Sequence, residues 1–311
     1  MTLLYSDPRF LNHRTGDHPE NPSRLEHIVR LLDASKLADR CRRAEWRPAS
    51  PNEITGVHQP AYIEAVVEFI GRGGGQIEAD TVVSPGSLEA AQLAVGAVRD
   101  AVGRVVAGED ATALCLVRPP GHHARPAAVM GFCLFNNVAV GARMAIDELQ
   151  LDRVLVVDWD VHHGNGTQES FWSDEQVGFM SIHRYPFYPG SGAADETGGG
   201  PGLGATLNLP VALGTSRADY LARFTDELDR FADRIQPQLV LVSAGFDSHR
   251  ADPIGSLGLE VEDFATLTRA VRAVADAHAG GRIVSVLEGG YNPPVLAECV
   301  AIHLSELLSL E

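Results

Sequence analysis

The chain is nearly devoid of lysine: Lys36 stands alone, and the other basic residues are arginines. Lys and Arg together number 25 against 41 Asp and Glu, a formal net charge of −16. That balance argues against a nucleic-acid partner, which needs a basic face. A negative field of this size would draw in a cationic substrate or partner, although solubility alone explains it equally well. Cysteine is scarce too. Cys41, Cys115, Cys133 and Cys299 lie far apart with no CxxC pair, which removes the zinc-finger pattern and points to reduced thiols in a cytoplasmic setting. No apolar run reaches 18 residues, so no transmembrane helix and no membrane partner are expected. The start, Met1–Asp7, has neither a basic opening nor a long apolar stretch, so no signal peptide is expected.

What is present is an alternation of short apolar runs and longer amphipathic segments along all 311 residues. Leu3–Tyr5, Ala113–Val117, Arg153–Asp158, Val177–Ile182, Thr206–Leu209, Leu239–Ser243 and Ile283–Leu287 read as strands. Leu25, Ile28, Val29 and Leu32 keep helical spacing behind an Asn21-Pro22 start. Leu88–Val106, Val138–Leu149, Tyr220–Ile235, Phe264–His278 and Val295–Leu308 are similar. Strands alternating with such helices imply a parallel sheet covered on both faces. No repeat, linker or compositional break appears, so residues 1–311 read as one domain. The glycine-rich stretches Gly71–Gly75 and Gly198–Gly204 lack the spacing of phosphate loops and read as flexible surface loops.

The chemistry gathers where apolar runs end. Val154–Val157 leads into Asp158-Trp159-Asp160-Val161-His162-His163-Gly164-Asn165-Gly166. Residues two apart on an extended strand end face one way, so Asp158, Asp160 and His162 are expected to project together. Aligned carboxylates repel unless a cation or proton neutralises them, which suits a divalent metal such as zinc. Leu239–Ser243 delivers Asp247 at a second strand end. Asp160, His162 and Asp247 would make three protein ligands with a fourth position open, the catalytic pattern. His249, two residues on, is an alternative ligand or a rim histidine. A third strand runs into Pro119-Pro120-Gly121-His122-His123, where a turn can bring both imidazoles to one site as proton carriers. A fourth ends in Glu288-Gly289-Gly290-Tyr291, placing a phenol that could donate to an oxyanion.

These runs carry a resemblance. RPPGHHA at Arg118–Ala124, GFCLFNN at Gly131–Asn137, DWDVHHGNGTQ at Asp158–Gln168, SAGFDSHRADPIG at Ser243–Gly255 and LEGGYN at Leu287–Asn292 closely resemble the histone deacetylase family. The likeness is to its class II-like branch and bacterial amidohydrolases, and it covers nearly the whole chain. It implies the arginase/deacetylase α/β fold, an eight-stranded parallel sheet between helix layers. It implies zinc at Asp160, His162 and Asp247, proton transfer by His123 and His122, and pairing of His122 with Asp158. Asn165 stands where class I members carry Asp, which fits class II and should leave His123 less basic than an Asp partner would. Tyr291 is the implied oxyanion donor.

The resemblance further implies potassium at Asp158, Asp160, His162, Ser181 and Ile182, and a second monovalent cation at Phe171, Asp174 and Val177. Gly131, Phe132 and Tyr188 would wall an acyl-lysine tunnel, Asp80 would hold the substrate backbone at its rim, and Arg24 would line an internal channel. The implied reaction is hydrolysis of an N-acyl amide, with an acyl-lysine protein or peptide, or a small acylated amine, as substrate. Polyamine-selective members carry an acidic gatekeeper after Asp-Pro; here that position is Ile254, which favours acyl-lysine. An acetylpolyamine amidohydrolase, a catalytically silent acyl-lysine binder and an arginase-like two-metal hydrolase are the alternatives. Tyr185–Gly204 reads as exposed and irregular, a possible contact surface for an oligomer of undetermined size.

Overall fold

The computed structural model describes residues 1–308. Its strands are β1 (Thr2–Tyr5), β2 (Arg42–Arg43), β3 (Gly75–Glu78), β4 (Thr81–Val83), β5 (Thr112–Cys115), β6 (Val154–Asp158), β7 (Val177–Arg184), β8 (Thr206–Val211), β9 (Val240–Ala244) and β10 (Ile283–Leu287). Eight of them form one sheet in the order β2-β1-β5-β10-β9-β6-β7-β8, and every pairing in it is parallel. β5, β6, β9 and β10 are buried along their whole length. Continuous apolar runs suit strands covered on both faces. Truncating such a side chain to alanine typically costs ~2–5 kcal/mol.

The helices are α1 (Ser23–Ala34), α2 (Pro51–Ile54), α3 (Pro60–Gly71), α4 (Ser87–Val106), α5 (Asn137–Asp147), α6 (Asn165–Phe171), α7 (Arg217–Ile235), α8 (Val261–His278) and α9 (Pro293–Leu308). α1, α9, α8 and α7 pack side by side as one layer, while α4 and α5 pack together against the central strands in the other. The result is the three-layer αβα arrangement of the arginase/deacetylase fold. α7 illustrates the local logic. Tyr220, Phe224, Leu228, Phe231 and Ile235 form its buried stripe. The Ser216 hydroxyl accepts the Asp219 N–H at 3.1 Å to start the helix, and Gln236, at φ 54°, ends it.

Three features differ from the sequence expectation. The eighth sheet strand is the exposed pair Arg42–Arg43, too short and too charged to carry an apolar signal. The Gly71–Gly75 stretch is no loose loop: Gly71 closes α3, and Gly75 opens a strand of the antiparallel β3–β4 pair. The Gly198–Gly204 stretch contains a 3-10 turn whose Gly202 packs against the Trp172–Asp174 backbone.

What the fold does for the site lies in the sheet order. β5, β10, β9 and β6 are four successive neighbours at the centre, and their registers run level through Asp158, Ser243, Ala244 and Leu287. The segments leaving their carboxyl ends therefore meet above one edge, where open α/β sheets hold their ligands.

Candidate active site

The segment after β6 folds by hydrogen-bonding its own carboxylates. Asp158 Oδ1 accepts the Asp160 N–H at 3.0 Å, and Asp160 Oδ1 accepts the His162 N–H at 2.9 Å. These successive Asx turns, rather than a continued strand, set the direction of each side chain. The strand itself stops at Asp158. Asp160 and His162 do project together, but Asp158 does not join them: its Oδ2 lies 2.9 Å from His122 Nδ1.

Asp247 completes a buried group. Candidate ligand atoms of Asp160, His162 and Asp247 all lie within 4.8 Å of one another. Asp160 Oδ2 accepts the Gly289 N–H at 2.8 Å, and Asp247 Oδ1 accepts the Val161 N–H at 2.9 Å. Asp247 Oδ2 lies 3.1 Å from His162 Nδ1 yet makes no hydrogen bond. A buried carboxylate oxygen without a partner is costly. Burial and the Asp160 charge push the Asp247 carboxyl up to about 7. Burial would drive the proton off His162, but the two carboxylates push its pKa up to about 10. The group thus attracts positive charge, and two carboxylates with one imidazole fit a divalent cation. Gly289 permits the crowding: a Cβ there would stand 2.2 Å from Asp247 Oδ2. His249 lies outside this group; it is buried, with its Nδ1 accepting the Ala251 N–H at 3.0 Å.

The adjacent imidazoles sit 4.0 Å apart between ring centres, both buried. Glu288 Oε2 accepts the Gly121 and His122 N–H groups, at 2.6 and 3.2 Å, and so shapes their turn. The His122 carbonyl accepts the Gly166 and Thr167 N–H groups, at 3.0 and 3.2 Å, from the first turn of α6. Asn165, the first residue of α6, presents Oδ1 to His123 Nδ1 at 2.7 Å. An amide oxygen only accepts, so Nδ1 carries the hydrogen and Nε2 keeps its lone pair. Burial opposes a charge on His122, but Asp158 and Asp160 push its pKa up to about 10. His123 goes the other way, well below the ordinary value. The causes are burial and the charges on His122 and His162; the Asn165 hydrogen bond acts in the opposite sense.

A cavity of about 220 Å³ opens above this chemistry, lined by Asp80, His123, Gly131, Phe132, His162, Phe187, Tyr188, Ile254 and Tyr291. His122 is not part of the lining. Gly131, at φ 56°, lies so close to His123 that a Cβ would meet the ring at 2.3 Å. Phe132 meets Tyr291 edge-on at 5.6 Å. Burial and the Asp80 carboxylate beside its hydroxyl both raise the Tyr188 pKa. Burial likewise holds the proton on Tyr291, so its hydroxyl stays a donor. Arg24 lies behind the cavity, wholly buried, with its guanidinium 5.0 Å from the Tyr291 ring centre.

The cation positions implied by resemblance are less open. Asp158 and Ser181 are register partners, but Ser181 Oγ lies 2.9 Å from His183 Nδ1. Ile182 is the next residue of β7, and Val177 is its first. Phe171 O accepts the Asp174 N–H at 3.0 Å, and the Asp174 carboxylate meets Arg143. The Tyr185–Gly204 loop is irregular but pinned. Glu196 accepts from Gly192 N–H and Gln168 Nε2, at 3.0 and 2.6 Å.

Phe187, Glu288 and Asp252 were not foreseen. Phe187 stacks on His162 at 5.3 Å and shares the wall with Tyr188. The signal for Glu288 was a carboxylate at the end of an apolar run.

Known proteins resemble this chain over nearly all of its length. The histone deacetylase domain family matches residues 18–307. A histone deacetylase-like amidohydrolase of Pseudomonas aeruginosa is 38% identical, over 93% of this chain and 77% of that protein. Human polyamine deacetylase HDAC10 is 41% identical over 98% of this chain, which spans only 48% of that longer protein. The crystal structure of the HDA15 HD domain has a TM-score of 0.94 at 34% identity, covering 99% of this chain and 88% of that one. The fold is that of a deacetylase domain. The chain belongs to the histone deacetylase family.

Proposed function

We propose that the protein is a metal-dependent amidohydrolase that removes acetyl or another short acyl group from the lysine side chain of a protein or peptide. The observation that carries this reading is the buried Asp160–His162–Asp247 group, whose His162 lines a mostly apolar-walled cavity. A divalent ion there, zinc by donor set, would supply Lewis acidity toward the acyl carbonyl and a water of lowered pKa.

The chain's own residues do the rest. Phe132, Phe187 and Tyr188 clamp the aliphatic stem by burial. His123 Nε2, with its lone pair kept free by the Nδ1 bond to Asn165, takes a proton from water and returns it to the leaving amine. His122 stays charged against Asp158 and favours negative charge developing beside it. Tyr291 donates its hydroxyl hydrogen to the oxyanion. Potassium at Asp158, Asp160, His162, Ser181 and Ile182, with a second ion at Phe171, Asp174 and Val177, is an accompanying proposal. The mechanism uses neither, and rates in KCl against NaCl test them.

The second reading is an acylpolyamine as substrate, which the name of the HDAC10 relative favours. Ile254 at the wall opposes it, because an apolar side chain cannot pair with a distal ammonium. Side-by-side turnover of an acetyl-lysine peptide and an acetylpolyamine, with Zn²⁺ and K⁺ present and Asp160→Ala as blank, separates the two. Faster peptide turnover is expected, and the reverse overturns the choice. No turnover of either, or of longer acyl chains, would leave a silent binder.

A further inference from the structure

Asp252 has no part in the chemistry above, yet its buried carboxylate bonds to both flanks of the cavity. Oδ1 accepts the N–H groups of Ile254 and Gly255, each at 2.9 Å. Oδ2 accepts the N–H of Tyr291, 39 positions away, at 2.6 Å. A second bridge runs beside it, with Asn292 Nδ2 donating to Ala251 O at 2.9 Å. From the other side, Arg24 Nε donates to Gly290 O at 2.6 Å. The Tyr291 backbone is therefore held on both sides, and the Asp252 carboxylate ties the Tyr291 N–H itself to the wall that carries Ile254.

We infer that Asp252 is the positioning residue for the Tyr291 hydroxyl. The inference rests on the reading of Tyr291 as oxyanion donor. The phenolic oxygen sits at the end of a long, stiff arm, so a small rotation at the backbone displaces it most. A misplacement of ~1 Å can cost ~10²-fold in rate. A carboxylate suits the task because it is an acceptor only and can receive three converging N–H donors. An amide would turn its own NH₂ against one of them.

The test is a double-mutant cycle on kcat with wild type, Asp252→Asn, Tyr291→Phe and the pair. Tyr291→Phe should lower kcat by roughly 10²–10³-fold. Asp252→Asn should lower it about tenfold or more in the wild-type background, with bound metal and melting temperature retained. In the Tyr291→Phe background it should add less than about twofold. Equal losses in both backgrounds, or no loss in either, overturn the inference. Full rate in Tyr291→Phe alone removes the oxyanion role and this inference with it. Should Asp252→Asn fail to fold, Asp252→Ser enters the same cycle.

Discussion

Glu20 and Asp247 are both carboxylates sealed from solvent, and they are answered in opposite ways. Glu20 Oε1 accepts from Arg118 Nε and from Arg24 Nη1, the latter at 3.1 Å. Its Oε2 accepts from Arg118 Nη2 at 2.7 Å and faces His13 Nε2 at 3.3 Å. Burial would raise its pKa, but the Arg118 guanidinium and the His13 hydrogen bond hold it well below the carboxylate range. Asp247 has a second carboxylate and one imidazole for company, its Oδ2 is unbonded, and its pKa rises to about 7. The first cluster is complete as a polypeptide. The second leaves one carboxylate oxygen unbonded and could hold a cation. A satisfied buried carboxylate is a structural feature, whereas an unsatisfied one in a cavity is a candidate site.

Asp247→Ala strikes the comparison hardest. It should bring turnover down to background and abolish stoichiometric metal, read by elemental analysis beside the activity assay. In chelator-treated protein the same change should cost less stability than Glu20→Gln, because Asp247 accepts one hydrogen bond, from Val161 N–H, where Glu20 is paired with two arginines. Full metal content with a retained rate would refute the ligand assignment.

Glu20→Gln should do the reverse. It leaves Arg118 and Arg24 without their countercharge and should cost ~3–5 kcal/mol in urea unfolding. A depressed folded pKa means that the Glu20 contribution is complete above about 4.5 and is lost as pH falls through the lower folded value. An unchanged unfolding midpoint at neutral pH would show that the network contributes little.

Each buried neutral histidine gives a smaller effect. Burial pushes His58 down to about 4, and His183 and His303 to about 3, from 6.5. Below pH 6.5 the unfolded chain binds protons that the folded chain refuses until those lower values. Stability should therefore fall on acidification from about 6.5 toward 4, by on the order of 1.4 kcal/mol per pH unit for each such imidazole. Urea midpoints at pH 7 and pH 5, with chelator present, measure this; equal midpoints would contradict it.

The apolar runs of β6, β9 and β10 were legible because strands buried on both faces need unbroken hydrophobic sequence. β2 and α6 were not. Arg42–Arg43 takes its strand geometry from pairing with β1, and Asn165–Phe171 begins inside a glycine-punctuated motif that reads as turn. Asp158 was grouped with Asp160 and His162 by alternation, which holds only while a strand continues. The Asx turns break it and hand Asp158 to His122. Asn165 was expected to leave His123 less basic than an Asp partner would; the His123 pKa lies low through burial and its charged neighbours, while the Asn165 hydrogen bond acts to raise it.

By itself the sequence determined which chemical groups stand at strand ends, since that follows from residue type and local apolar pattern. It did not determine which of Asp158, Asp160 and His162 group together, because the Asx turns rather than strand alternation set their directions. Only the tertiary structure decided that β5, β10, β9 and β6 lie side by side, so that Asp247 and Tyr291 arrive at the same edge. It also decided that Asp247 Oδ2 is left without a partner and that Asp252 spans two loops. Strand order and burial are set by the packing of the whole chain, and no local pattern encodes them.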